Sequence, residues 1–149
     1  MGRICLDFSW QEQGRIERAA LPVPRLRFPS LPVDGGVYRI SITDEGNREV
    51  YVGEALDLAR RARTYVAPGA RYTASWVNAH LLERLLAEAT VTLSILVEAR
   101  LSWGRGDWQS ADFAREDHRK LFENAALIEA TSVVPPLTVL NRLRRMKEA

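Results

Sequence analysis

Two tyrosine-containing tripeptides and one arginine have the residue types and spacing that phosphate chemistry requires. A Gly-Val-Tyr sequence ends at Tyr38, a Tyr-Val-Gly sequence begins at Tyr51, and Arg61 follows ten residues after Tyr51. A phenol can donate a proton to a water molecule or accept one from it, and a guanidinium can bind the charge that develops on oxygen. If folding brings the three side chains together, they form a site suited to phosphodiester chemistry.

A β-hairpin is the element expected to position the two tyrosines. Residues 37–42 alternate between apolar and polar side chains, and residues 50–53 form a second β-rich run. The Asp-Glu-Gly-Asn sequence at residues 44–47 has the composition of a hairpin connection. Because matching ends of paired strands come within contact distance, we expect Tyr38 and Tyr51 to lie close together at one edge of a sheet.

Helices and one further strand are predicted after the hairpin. Asp57 is a suitable N-cap for a helix that carries Arg61 and ends near Tyr65. The remaining elements are a helix at about 75–89, a strand at 91–97 and a helix at about 110–130. The order β-β-α-α-β-α predicts an α+β fold in which helices flank a small, three-stranded, mainly antiparallel sheet.

The first 33 residues have a different composition from the rest of the chain. Pro22, Pro24, Pro29 and Pro32 fall within eleven positions, where they disfavour a regular helix or a central strand. We therefore predict a proline-containing N-terminal arm or linker at residues 1–33, with a short strand or helix near residues 4–18. The predicted domain occupies residues 34–149.

Composition excludes several classes of protein. With 46% hydrophobic and 27% charged residues, the chain is not expected to be disordered. It contains no apolar run of the ~20 residues that a membrane helix needs and no apolar signal sequence, so the expected compartment is the cytoplasm. The single cysteine excludes an internal disulfide and a multi-cysteine zinc site.

The basic residues permit phosphate binding without establishing it. The net charge is only +2, but 19 of the 21 basic residues are arginine. Arginine can bind phosphate through two parallel hydrogen bonds. A GC-rich genome would also favour arginine over lysine.

Longer stretches of the chain resemble the GIY-YIG nuclease family. They are GVYRI, YVGEALDLARRARTY, ENAALI and PPLTVLN, and together they span residues 36–141. Isoleucine is replaced by valine in both signature tripeptides. The resemblance implies a hairpin that carries two tyrosines, a helix that carries an arginine, and a later helix whose glutamate holds a metal ion. It also implies an endonuclease that acts on nucleic acid, with DNA as the expected substrate.

The family roles can be assigned to individual residues. Tyr38 and Tyr51 match the signature tyrosines, Arg61 matches the helix arginine, and Glu123 matches the glutamate that would hold Mg²⁺ or Mn²⁺. In this scheme Tyr38 is the general base or its relay, and Tyr51 positions the water or the phosphate. Arg61 would neutralise the charge on the phosphorane.

Two of these assignments have alternatives within the sequence. Glu129 lies six residues after Glu123 and points elsewhere on a helix, so only one of the two carboxylates can face the tyrosines. The asparagine that usually follows the family's proline is matched by Asn141, although its spacing from the proline is altered. Thr138 is the alternative for that position.

Other interpretations of the same residues remain open. Arg60, Arg63 and Arg71 are expected to hold flanking phosphates. The tyrosines are compatible with a purely structural role in strands. The rival hypothesis is therefore a catalytically inactive nucleic-acid-binding module that retains the fold.

Overall fold

The computed structural model describes residues 2–19 and 22–141 and has an α+β architecture. The last eight residues of the predicted domain, 142–149, lie outside the described part. Three helices are α1 (Leu58–Val66), α2 (Tyr72–Leu86) and α3 (Glu116–Ser132). The predicted elements between residues 34 and 132 occur in the predicted order, with one additional short strand at Gln109–Ser110 before α3.

The strands extend well beyond the three that were predicted. Four strands are long, and all four belong to the main sheet: β1 (Ile4–Arg15), β4 (Gly36–Asp44), β5 (Asn47–Ala55) and β6 (Thr90–Trp103). The short strands are β2 (Glu17–Ala19), β3 (Arg25–Arg27), β7 (Gln109–Ser110) and β8 (Thr138–Val139).

The predicted three-stranded sheet is a sheet of six strands. The order is β1-β6-β4-β5-β8, and β7 pairs with β6. All pairings are antiparallel except that between β5 and β8, which is parallel. The predicted strands form the centre of this sheet, while β2 and β3 form a separate two-stranded hairpin.

The first strand comes from the segment that was predicted to be an arm. Leu6, Phe8 and Trp10 alternate along β1 and pack against the core on one face. The strand pairs with β6 from Ile4 to Arg15, so β6 continues to Trp103 instead of ending near residue 97. The N-terminal segment therefore supplies an edge strand of the sheet.

The sheet separates two hydrophobic layers. One face carries Tyr38, Ile40 and Leu93 and packs against α1 and α2. The other face carries Val37, Val52 and Leu96 and packs against Phe122 of α3. The alternation of side chains along each strand produces these two layers.

No helix in the described residues has the length and apolar character needed to cross a membrane.

Candidate active site

The hairpin places the two signature tyrosines on the same face of the sheet. Tyr38 pairs with Gly53, and Ile40 pairs with Tyr51. Because residues opposite one another share a face and residues two apart on a strand share a face, Tyr38 and Tyr51 both point toward α1 and α2. Both side chains lie in the core, with exposed fractions of 3% and 6%.

Gly53 makes room for the Tyr38 ring. A Cβ atom built on Gly53 would overlap the hydroxyl end of Tyr38 and would lie only 2.8 Å from its Cε1 atom. The glycine of the second tripeptide is therefore required by the ring of the first, which explains why the two tripeptides occur together.

Tyr65 is a third tyrosine in the cluster, and no role was predicted for it from the sequence. Its hydroxyl forms a short hydrogen bond with the hydroxyl of Tyr38. Its ring meets those of Tyr38 and Tyr51 edge to face, at centroid distances of 6.2 Å and 6.4 Å. Tyr65 is four residues after Arg61, one helical turn along the same face of α1, and this spacing was the signal available in the sequence.

Burial keeps the clustered phenols protonated. Removal from water raises the pKa of Tyr38 far above its usual value, and the nearby Tyr51 raises it further. Burial likewise raises the pKa of Tyr65, which Tyr38 and Tyr51 raise further. The positive charge of Arg61 acts in the opposite direction on both phenols, so a cation beside them favours loss of a proton.

Arg61 extends from α1 beside the tyrosines while remaining exposed at the surface. The helix begins at Leu58 after the predicted N-cap Asp57, whose carboxylate accepts a hydrogen bond from the N–H of Arg60 at 2.9 Å. Burial alone would lower the pKa of Arg61, but Tyr38, Tyr65 and Tyr51 outweigh burial and raise it. The guanidinium is therefore a permanent positive charge at the edge of the tyrosine cluster.

A solvent-open cavity of about 450 Å³ adjoins this cluster. Its lining includes Arg61 and Tyr65 together with Arg60 and Arg71, two of the three arginines predicted to hold phosphates. The third, Arg63, lines a different groove on the other side of α1. The cavity is therefore rich in guanidinium groups and adjoins Tyr65, whose side chain is itself buried.

The two candidate glutamates of α3 lie in different environments. Glu123 is near enough to the cluster for its negative charge to raise the pKa of Tyr38, after the larger effects of burial and Tyr51. Glu129 instead accepts a hydrogen bond from Trp10 at 3.0 Å and lies 3.8 Å from Arg39. Arg39 neighbours Tyr38 on β4 and so points to the opposite face of the sheet.

A buried ion pair fixes the beginning of α3 against β5. Arg119 Nε donates to Glu54 Oε2 at 2.6 Å, and Arg119 Nη1 donates to the carbonyl oxygens of Phe113 and Ala114. Desolvation tends to raise the pKa of Glu54, but the hydrogen bonds from Arg119 and Lys120 lower it overall. Arg119 precedes Glu123 by one helical turn, and Glu54 follows Gly53. The ion pair therefore connects the helix that carries Glu123 to the strand that carries Gly53.

Asn141 supports the second tripeptide from the outer edge of β5. Its Oδ1 accepts from the N–H of Val52 at 3.0 Å, and its Nδ2 donates to the carbonyl oxygen of Val52 at 2.7 Å. The side chain thus satisfies both backbone groups between Tyr51 and Gly53, as a neighbouring strand would. Thr138, the alternative, lies in β8 opposite Glu49. The contacts of Asn141 are those of a positioning residue.

The donor groups near the cluster fit a magnesium ion better than a transition metal. Within residues 2–19 and 22–141 there is no group of three or more His, Cys, Asp or Glu side chains that could hold a metal ion. Mg²⁺ commonly uses one or two carboxylates and completes its coordination with water and substrate oxygens. A single carboxylate, that of Glu123, is compatible with that requirement.

The chain is similar in part to one protein of known name. It is 36% identical over 77 residues to the UvrABC system protein C of Natronomonas pharaonis. The aligned region makes up 52% of this chain and 13% of the relative, so the chain spans a small part of that protein's length.

No protein-family model matches the sequence, and no solved structure matches it.

Proposed function

We propose that the protein is a metal-dependent endonuclease that hydrolyses phosphodiester bonds in DNA through a GIY-YIG-like site. The observation that carries the proposal is the hydrogen-bonded pair Tyr38–Tyr65, with Arg61 beside it and the charge of Glu123 within electrostatic reach. These groups come from β4, α1 and α3, so their proximity is a product of the fold. The partial similarity to UvrABC system protein C supports a role on DNA.

Glu123 is the residue that would hold Mg²⁺ or Mn²⁺. A divalent cation held by this carboxylate would supply Lewis acidity for departure of the leaving oxygen. The tyrosines and Arg61 contribute no anionic ligand of their own, so a carboxylate from another element is needed.

The phenol pair handles the proton of the attacking water in this proposal. Tyr38 and Tyr65 share a hydrogen bond and Tyr65 is among the residues that line the cavity, so the pair shares the role of general base or relay that was assigned to Tyr38. A neutral phenol is a weak base, and burial raises the pKa of both groups. Either phenol can act as a base only if nearby positive charge favours loss of its proton. Arg61 provides such a charge.

The arginines of the cavity bind the phosphodiester. Arg61 neutralises the charge that develops on the phosphorane. Electrostatic stabilisation of this kind is usually the largest single term in catalysis. Arg60 and Arg71 line the same cavity and contact phosphates on either side of the scissile bond. Tyr51 packs against Tyr65 and restricts the orientation of that ring.

Nicking of supercoiled plasmid DNA in Mg²⁺ tests the proposal. We expect nicked product from the wild-type protein, none in EDTA, and a loss of most cleavage in Arg61→Ala. Duplex binding by Arg61→Ala should be nearly intact because the other arginines carry the ground-state contacts. Arg48→Ala, which removes the same charge from the distal end of the β4–β5 hairpin, is the matched control.

Binding of DNA by the wild-type protein without any nicking in Mg²⁺ or Mn²⁺ would contradict the proposal. That result would instead identify an inactive nucleic-acid-binding module with the same fold. An equal loss of binding and cleavage in Arg61→Ala would make Arg61 an affinity residue.

A further inference from the structure

The N-terminal segment carries an excess of positive charge that the proposed active site does not use. Between residues 13 and 33 there are four arginines and one glutamate. Arg27 pairs with that glutamate, Glu17, at 3.1 Å. Within the described residues, no carboxylate lies within ion-pair distance of Arg25.

Part of this charge lines a groove between β3 and α1. The groove has a volume of about 580 Å³, and its polar lining includes Arg25 and Arg27 from β3, Ser30, and Arg63 from α1. Among the described residues that line it, none is acidic. Arg25, Arg27 and Arg63 therefore line one open groove, and of the three only Arg27 has a carboxylate, that of Glu17, within ion-pair distance among the described residues.

The groove is fixed rigidly to the active site. Leu26, between the two arginines of β3, is 2% exposed and belongs to the same core as Tyr38 and Tyr65. Phe28, which also lines the groove, stacks on the ring of Tyr65 with a centroid distance of 6.0 Å and an interplanar angle of 19°. The β2–β3 strands and the candidate site thus share one hydrophobic core.

Helix α1 is the shared wall of the groove and the catalytic cavity. Arg60 and Arg61 line the cavity, while Arg63 lines the groove. An α-helix is about 10 Å across, and a DNA strand advances about 3.4 Å per nucleotide along the duplex axis. A strand leaving the cavity would therefore reach the groove within about three nucleotides.

We propose that this groove binds the phosphodiester backbone of the DNA flank next to the scissile phosphate. The proposal rests on the proposed function for the identity of the ligand. Guanidinium groups bind phosphate oxygens without reading sequence, so the groove supplies affinity and direction for the duplex. It gives the N-terminal segment a role in substrate binding in addition to its contribution to the sheet.

The test is the affinity of a fluorescent DNA duplex, measured by anisotropy in EDTA at several salt concentrations. For Arg25→Ala/Arg63→Ala we expect affinity to fall about tenfold or more at low salt and the slope of log K against log salt to decrease by about 2, since each phosphate contact contributes about 0.9. Arg25→Lys/Arg63→Lys should retain most of the affinity because the charge is kept. Arg48→Ala is the matched control and should remain near the wild type.

Kinetics in Mg²⁺ separate this proposal from the proposed function. We expect the alanine double variant to raise KM while leaving kcat at saturating DNA unchanged. Affinity and salt slope equal to those of Arg48→Ala would overturn the groove proposal even if the wild type nicks DNA. Conversely, a wild type that never nicks but loses binding in the double variant would sustain the groove and refute the endonuclease.

Discussion

At the scale of single residues, the proposed site depends on the phenols of Tyr38 and Tyr65. Of these two, only Tyr38 was predicted from the sequence. Tyr38 was assigned from its tripeptide, but its side chain is buried and its hydroxyl hydrogen-bonds to that of Tyr65, which is buried as well. The residue types and their spacing predicted Tyr38, Tyr51 and Arg61 as neighbours. Tyr65 was missed because its spacing from Arg61 is also that of any two residues on one face of a helix.

The Tyr65→Phe substitution tests the relay. We expect kcat to fall about 100-fold, within the range typical of losing a general acid–base group, because the hydroxyl that hydrogen-bonds to Tyr38 is removed. KM should change little, since no phosphate contact of an arginine is lost. The measurement is plasmid nicking at saturating DNA, with circular dichroism to verify folding.

A Tyr65→Phe protein that nicks at the wild-type rate would exclude the relay. Tyr72→Phe is the matched control because Tyr72 is exposed at the start of α2 and lies outside the cluster. Its rate should equal that of the wild type.

At the scale of elements, the sequence predicted the hairpin and the helices but not the full sheet. Periodicity and the Asp57 cap identified β4, β5 and α1, because those signals are local. The alternation of Leu6, Phe8 and Trp10 in β1 was also local, but the prolines that follow it suggested an arm. The pairing of β1 with β6 is a long-range contact that no short window of sequence encodes.

Long-range ion pairs could not be predicted from the sequence either. One of them, between Arg119 and Glu54, connects α3 to β5. We expect Arg119→Met to lower the free energy of unfolding by about 2 to 3 kcal/mol, because it leaves Glu54 buried with only Lys120 as a partner. Urea denaturation at neutral pH is the measurement.

The pH dependence gives a second readout of the same pair. The pKa of Glu54 is lowered in the folded state, so its contribution to stability is present above the ordinary glutamate pKa and is lost as the pH falls through the folded-state pKa. The difference in stability between wild type and Arg119→Met should therefore shrink in acid. A difference that is absent at neutral pH would show that the pair does not hold α3 in place.

At the scale of the whole molecule, the buried phenols couple folding to alkaline pH. Burial raises the pKa of Tyr38 and Tyr65, so the folded chain binds these protons more tightly than the unfolded chain. Their contribution to stability is complete below the ordinary tyrosine pKa of about 10 and is lost as the pH rises above it. We expect the free energy of unfolding to decrease with pH in that range.

Tyrosinate absorbance checks this expectation directly. Tyr38 and Tyr65 should fail to ionise at about pH 10 in the folded protein and should ionise normally in urea. Titration of all four phenols near pH 10 in the folded protein would refute the buried pair. The double variant Tyr38→Phe/Tyr65→Phe should lose most of the alkaline dependence of stability.

The central claim is that this fold delivers one carboxylate of α3 to the tyrosine–arginine cluster for metal-dependent DNA cleavage. The most direct measurement compares the rate of Mg²⁺-dependent plasmid nicking by the wild type, Glu123→Gln and Glu129→Gln. Both substitutions keep the size of the side chain and remove one charge. We predict that Glu123→Gln eliminates nicking without unfolding the domain and that Glu129→Gln stays close to the wild type. Loss of nicking in Glu129→Gln alone, or in neither variant, would contradict the account.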